Sequence, residues 1–358
     1  MKIFINARFL TQSITGVQRF AIELSKRLRT QSSIDVEFLS PKDIIHEDLA
    51  EELGAKRIGH FKGHLWEQID LPLYLKQNKN PLLLSLCSTA PVFYKNQIVT
   101  HHDITYIRYP ESFSKKFVGL YKIIIPLMLK NSKKIITVSE FSKSEISNYF
   151  KIPKEKFVVI YNGVDQEKFK FSALKDSLAT DYILAVSSRN FHKNFQGLID
   201  SFNKIKDNIK NVNLYIVGGS EIKSFNNIEL DIESLKQKNR VDFLGRVDDD
   251  ELVKLYQNAA LFVFPSFYEG FGIPPLEAQA CGCPVIASEK ASMPEVLGDS
   301  VLYFDPFSET QLSEKILFFF DNLDVKNQLV EKGLENIKKF NWDNSVKILV
   351  ENIRFNIS

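Results

Sequence analysis

The stretch Leu261–Ser288, LFVFPSFYEGFGIPPLEAQACGCPVIAS, decides how the rest of the chain is read. Its two apolar runs, Leu261 to Pro265 and Pro284 to Ala287, are continuous rather than alternating, the pattern of parallel strands covered on both faces by helices. Between them lies a turn with Gly270 and Gly272, then a helix that Pro274 and Pro275 are suited to begin, because the first turn needs no N–H from them. This is a strand, loop, helix, strand unit. Ligands of such sheets lie at the carboxyl ends of the strands, which places Phe267 to Pro275 at a binding edge. Glycine lets backbone approach a ligand closely, and N–H groups at a helix start attract anions. Glu269 falls in the loop and Glu277 in the first helical turn, where a carboxylate has two readings, a charge that complements the helix dipole or a ligand contact.

Outward from this unit, 358 residues suffice for two domains of ordinary size, and 44% hydrophobic with 25% charged residues exclude disordered and collagen-like classes. Cys87, Cys281 and Cys283 supply neither a disulfide framework nor a metal-ligand set, so a reducing cytoplasm is the expected home. MKIFINARFL reads as a buried strand over Met1 to Phe9, too short and too polar at Asn6 and Arg8 for a signal peptide. Phe117 to Leu129 carries Lys122 and Pro126 and falls short of a membrane span. The net charge of +2 hides an asymmetry: Met1 to Lys170 holds 26 Lys and Arg against 17 Asp and Glu, and the remainder 20 against 27. The first half therefore suits an anionic partner. No helix-turn-helix or zinc-finger spacing points to nucleic acid, whereas an anionic membrane surface or a lipid pyrophosphate fits.

Taken in order, Gly16 stands at a strand-to-helix corner, a place for a turn or for a phosphate. His102 ends the strand Ile98 to His102, where an imidazole serves either chemistry or structure. Phe113 to Lys134 interleaves lysines with apolar residues; a core helix with a solvated basic face is preferred there over interfacial membrane docking. Arg189 and Lys193 share one loop after the strand Tyr182 to Ser187, near enough for a fork and a point charge to meet one diphosphate. Arg246 and Val247 follow the strand Val241 to Leu244. Asp248 to Asp250 precede an apolar-periodic helix, so capping accounts for them and no metal is invoked. His192, Cys281 and Cys283 are read as structural.

EGFGIPPLE, with seven residues between Glu269 and Glu277, together with HHDITYIRYPESFS, Asn162-Gly163-Val164-Asp165 and SSRNFHKN, resembles glycosyltransferase family 4. The resemblance runs from Ile3 to about Ile353. It implies an α/β chain of the GT-B class, two Rossmann-like domains facing each other across a cleft: an acceptor domain over 1–170, a nucleotide-sugar domain over 171–342, and a C-terminal helix, about 343–358, packing back on the first. It implies a retaining hexosyltransferase that uses a nucleoside diphosphate sugar as substrate, with no cofactor and no metal. His102, Glu269, Arg189 and Lys193 take the catalytic positions. Gly16, Arg189, Lys193, Arg246, Val247, Glu269, Gly270, Phe271, Gly272, Ile273, Leu276 and Glu277 take the donor-binding ones. WEQIDLPLYL and the His-Asp segment look most like bacterial enzymes adding mannose or a deoxyhexose to surface polysaccharide precursors, which favours a GDP-sugar and a glycan or polyprenyl-diphosphate-linked acceptor. Peripheral contact with the inner face of the plasma membrane, through the basic first domain, accompanies that expectation. A sugar phosphorylase, a nucleotide-sugar epimerase and a non-catalytic sugar-binding protein are the alternatives.

Overall fold

A computed structural model of the chain describes residues 2–172, 181–188, 190–218 and 240–357. They divide into two compact units, Met1–Ile104 with Lys115–Asn162 and Trp342–Ser358, and Thr105–Ser114 with Gly163–Asn341. The division differs from the expected boundary at two places: Thr105–Ser114 and residues 163–170 group with the second unit. Side-chain contacts account for both. His192 Nδ1 lies 2.9 Å from Ser112 Oγ, the Tyr109 and Phe267 rings stack at 6.1 Å, and Phe169 is buried against Tyr256.

The first unit is built on seven parallel strands: β1 (Lys2–Asn6), β2 (Asp35–Ser40), β3 (Lys56–Arg57), β4 (Leu83–Ser85), β5 (Gln97–Thr100), β6 (Lys134–Thr137) and β7 (Phe157–Val159), in the order β3-β2-β1-β4-β5-β6-β7. The first strand is shorter than its apolar run. It stops at Asn6, and Arg8–Thr11 turns as a 3-10 helix whose Arg8, Phe9 and Leu10 are buried. Phe4, Leu39, Trp66 and Leu83 share one core cluster, with the Trp66 indole donating to Ile58 O at 2.9 Å.

The second unit holds β8 (Asp181–Val186), β9 (Val212–Val217), β10 (Val241–Gly245), β11 (Leu261–Phe264), β12 (Val285–Ser288) and β13 (Leu302–Phe304), all parallel, in the order β10-β9-β8-β11-β12-β13. Its core lies between this sheet and the helices Phe195–Ile205 and Glu309–Asp321, where Phe202, Leu214, Val263 and Ile316 are fully buried. Each sheet reverses its strand order once, between β1 and β4 and between β8 and β11. At such a reversal the crossovers on its two sides cover opposite faces of the sheet, and the strands' carboxyl ends beside it are where ligands of such folds bind.

Helix starts follow local chemistry. Ser139 Oγ accepts from Ser142 N at 2.9 Å, and Asp248 caps the helix Asp249–Asn258 by accepting from Glu251 N at 2.8 Å, the role its place in sequence gave it. The C-terminal helix Trp342–Ile357 belongs to the first unit: Trp342, 2% exposed, meets Phe20 at 6.1 Å, Ser345 Oγ donates to Tyr161 O, and Arg27 pairs with Asp343. Removing a buried indole leaves a cavity that rigid neighbours fill only in part. Trp342→Ala is expected to cost about 3–5 kcal/mol in denaturant unfolding; a cost under about 1 kcal/mol would mean that the helix is dispensable to its unit.

Candidate functional site

In the second unit the two strands flanking the reversal, β8 and β11, deliver the candidate residues. The β8 loop ends in a 3-10 turn, Phe191–Lys193, and Asn194 adopts a left-handed conformation, φ 54°, that turns the chain into its helix. Asn194 suits this: its side-chain oxygen accepts from Gly197 N, while its Nδ2 donates to Pro265 O at 3.2 Å and Pro306 O at 3.1 Å. Phe267 N donates to His192 O at 2.8 Å, which joins the β8 and β11 loops directly. His192 is 5% exposed, in keeping with the structural role read for it.

Across this junction Lys193 Nζ lies 2.6 Å from Glu269 Oε1, both side chains about one-seventh exposed (15% and 13%). A charge pair so nearly removed from water is strengthened by the weaker screening, and it fixes both groups at the crevice. Glu269 is also tied through its backbone, since its carbonyl accepts from Ser292 Oγ at 3.0 Å. Gly270, Phe271 and Gly272 are buried and lead into the helix Ile273–Ala280. Gly272 has φ 87°, and a Cβ there would come within 2.5 Å of Met293 Cε, so this position admits glycine alone without rearrangement. Pro274 and Pro275 carry no N–H, which leaves the backbone donors of the helix start to the residues around Gly272 and Ile273. Leu276 is fully buried. Glu277, 6% exposed, has its Oε2 accepting from Tyr256 O–H at 3.2 Å, so one carboxylate oxygen is held by the protein itself. Burial raises the Tyr256 hydroxyl well above its ordinary value, with Glu277 adding to it, and the phenol stays a donor.

Arg246 and Val247 follow β10, two strands from β8. Gly218 N donates to Gly245 O at 2.7 Å, holding the ends of β9 and β10 together, and Arg246 is exposed. Arg189 lies outside the described residues.

In the first unit, Gly16 opens the helix Gly16–Arg29. Thr15 is its N-cap, and Gln18 Oε1 accepts from Thr15 N at 3.2 Å. His102, 7% exposed, lies two residues beyond β5. Its ring meets Phe20 of that same helix edge-on at 5.1 Å, and Nε2 is 3.4 Å from Leu86 O. The structure therefore brings His102 and the Gly16 helix together, and Lys193 with Glu269 and the Gly270–Glu277 segment, each set within its own unit.

Sequence reading missed a second polar group in the first unit, at its β1/β4 reversal. Arg8, 7% exposed, donates from Nε to Glu67 Oε1 at 3.2 Å and from an Nη to Thr89 Oγ1 at 2.7 Å. Asn6 Nδ2 donates to the same Glu67 oxygen at 2.8 Å, and His64 Nδ1 is 3.4 Å from Glu67 Oε2. Burial alone would raise the Glu67 carboxyl; the Arg8 charge and its hydrogen-bond donors overcome this and hold it down at about 2. The signal available was the pair of polar residues directly after a buried strand. Beside this group, burial pushes the Cys87 thiol up to about 12.

Comparison with known proteins matches both halves of the chain. A family model for "Glycosyl transferases group 1" matches residues 165–336, and one for "Glycosyltransferase Family 4" matches 14–168. The chain is 28% identical to the O-antigen chain mannosyltransferase RfbU of Salmonella typhimurium and 27% identical to O-antigen chain mannosyltransferase B of Escherichia coli; each match spans 96% of this chain, and 96% and 97% of the relatives. Among solved structures, Anabaena Alr3699/HepE in complex with UDP and glucose superposes with a TM-score of 0.79 at 19% identity over 99% of both chains, a likeness of fold.

One expectation concerns acidity. Burial drives His101 and His102 down to about 4, so both are neutral at pH 7. Below the ordinary histidine value the unfolded chain takes up protons that the folded one refuses, so stability falls as pH drops from about 6.5 toward 4. The melting temperature is expected to decrease from about pH 7 to pH 5, and less steeply in His102→Gln; equal slopes would show that His102 does not titrate this way.

Proposed function

The chain belongs to the group 1 glycosyltransferases, and on that premise we propose that it moves a mannosyl or deoxyhexosyl group from a GDP-sugar to a glycan or polyprenyl-diphosphate-linked acceptor of a surface polysaccharide, with retained anomeric configuration. The observation that carries the reading is the Lys193–Glu269 pair at the β8/β11 reversal, beside glycine-shaped backbone at a helix start. A diphosphate leaving group gains negative charge as its bond to the anomeric carbon breaks, and a cation held at the crevice stabilises that charge once the diphosphate takes the place of its carboxylate partner. Lys193 takes this role, with Arg189 assigned to it by sequence position and backbone N–H groups near Gly16 and Phe271 to Ile273 assisting. Glu277 accepts hydrogen bonds from ribose hydroxyls. Glu269 and His102 contact the donor sugar, and Arg246 with Val247 borders the base. No metal or cofactor takes part in this scheme.

Mannose as the sugar draws support from the O-antigen relatives, whose length this chain matches almost fully. The enzyme is expected to work in the cytoplasm, at the inner face of the plasma membrane where a lipid-linked acceptor is presented. A phosphorylase would consume free phosphate and an epimerase would need no acceptor; neither has a specific observation in its favour.

A ligand that binds only the folded state raises the melting temperature by mass action. In a screen of GDP, UDP, dTDP and ADP without added metal, GDP is expected to give the largest shift, about 2.7 kcal/mol of stabilisation at a hundredfold excess over its Kd. A larger shift with UDP would reassign the base. Lys193→Ala is expected to lower turnover by about 100- to 1000-fold with folding retained, and a near-normal rate would remove Lys193 from the site.

A further inference from the structure

The first unit carries an exposed apolar surface that neither its core nor the candidate site uses. On the helix Lys115–Asn131, Leu120, Ile123 and Leu127 are 38%, 65% and 39% exposed and fall at the spacing of one helical face. On the helical segment Gly63–Gln77, Leu65, Ile69 and Leu73 are 59%, 39% and 56% exposed, again at a spacing of four. Both helices grip the same short loop. Gln68 donates to Ala90 O at 3.0 Å and accepts from Val92 N at 2.9 Å, while Asn131, four residues beyond Leu127, donates to Val92 O at 2.8 Å. The next residue, Phe93, stands 80% exposed at that junction. Seven of the nineteen exposed large apolar side chains among the described residues thus belong to two helices and the loop that joins them.

The exposed charges on these segments are mainly positive. Lys115, Lys116, Lys122 and Lys130 are exposed on the first helix, which contains no acidic residue; Lys62, Lys76 and Lys95 are exposed on the other segments. The two acids of the Gly63–Gln77 segment are engaged: Glu67 is buried with Arg8, and Asp70 Oδ2 accepts from the backbone N–H groups of His60 and Phe61 at 2.7 Å each. Apolar side chains ringed by lysines match a lipid surface with anionic headgroups, where the apolar tips enter the acyl boundary and the long cationic stems reach the phosphates. A soluble protein partner would have to match these lysines with acids of its own, whereas an anionic leaflet attracts each of them.

We propose that this surface, formed by the two helices and Phe93, docks the protein on an anionic bilayer. The sequence reading preferred a solvated helix face; the joined pair of exposed stripes is what shifts the balance. The purpose of docking rests on the lipid-linked acceptor proposed above, while the docking itself is measurable without it.

The full chain is sedimented with vesicles of phosphatidylglycerol and phosphatidylethanolamine, and with vesicles of phosphatidylcholine alone. Binding is expected to the first and to fall steeply with added salt, as screened attraction requires. Ile123→Asp with Leu127→Asp is expected to lower the bound fraction about tenfold. Lys116→Glu with Lys130→Glu is expected to lower binding to the anionic vesicles. Phe93→Ser lies in an exposed loop and supplies an independent variant where a helix substitution perturbs folding. All three are expected to keep the melting temperature and the GDP-dependent shift, which reports the donor site separately. Failure of the parent to bind anionic vesicles, variants that bind like the parent, or an Ile123→Asp and Leu127→Asp pair that converts a dimer into a monomer would overturn the proposal, the last by assigning the surface to a second copy.

Discussion

Parallel strands cannot be joined by a tight turn, so every connection in both sheets must run back from the carboxyl end of one strand to the amino end of the next. That single constraint places all the chemistry. Because the crossovers run the same way, the loops after the strands gather at one edge of each sheet, and the one reversal of strand order opens that edge into a crevice. In the second unit the loops after β8 and β11 meet there, stitched by the Phe267 N to His192 O bond, and Lys193 and Glu269 follow from it. The first unit repeats the arrangement at β1 and β4, where Asn6, Arg8, Glu67 and Thr89 converge.

The two reversals use charge differently. Lys193 and Glu269 retain some contact with solvent, so a ligand can compete for either partner at limited cost in desolvation. Arg8 and Glu67 are almost wholly withdrawn from water, and losing either would strand the other as a buried charge. The first pair can part without leaving a charge cut off from water. The second holds the 3-10 turn after β1, the Thr89 loop and the helical stretch Trp66–Asp70 in one geometry.

How much of this was legible depends on sequence distance. EGFGIPPLE announced its turn and helix because glycine and proline act on their own backbone, and Gly272 with its φ of 87° is where that reading required it. Asp248 declared itself as a cap for the same local reason. The Arg8–Glu67 contact, 59 residues apart, depends on strand order and left no local trace beyond polar residues after a strand. Nor did the grouping of Thr105–Ser114 with the second unit, since stacking of Tyr109 on Phe267 has no periodicity to betray it. A helix read over Phe113 to Lys134 was right in kind; that its apolar residues include three left in solvent required its orientation against the sheet.

The cysteines have a consequence for reactivity. A thiol attacks electrophiles as its thiolate, and burial raises all the energetics against that form. Cys281 and Cys283 are buried beside one another, burial pushing Cys281 up with Cys283 and Glu277 adding to it, and Cys87 is held at about 12. Toward alkylating agents and mild oxidants Cys281 and Cys283 are therefore shielded in the folded chain, and their response to such reagents becomes a gauge of unfolding rather than of site chemistry.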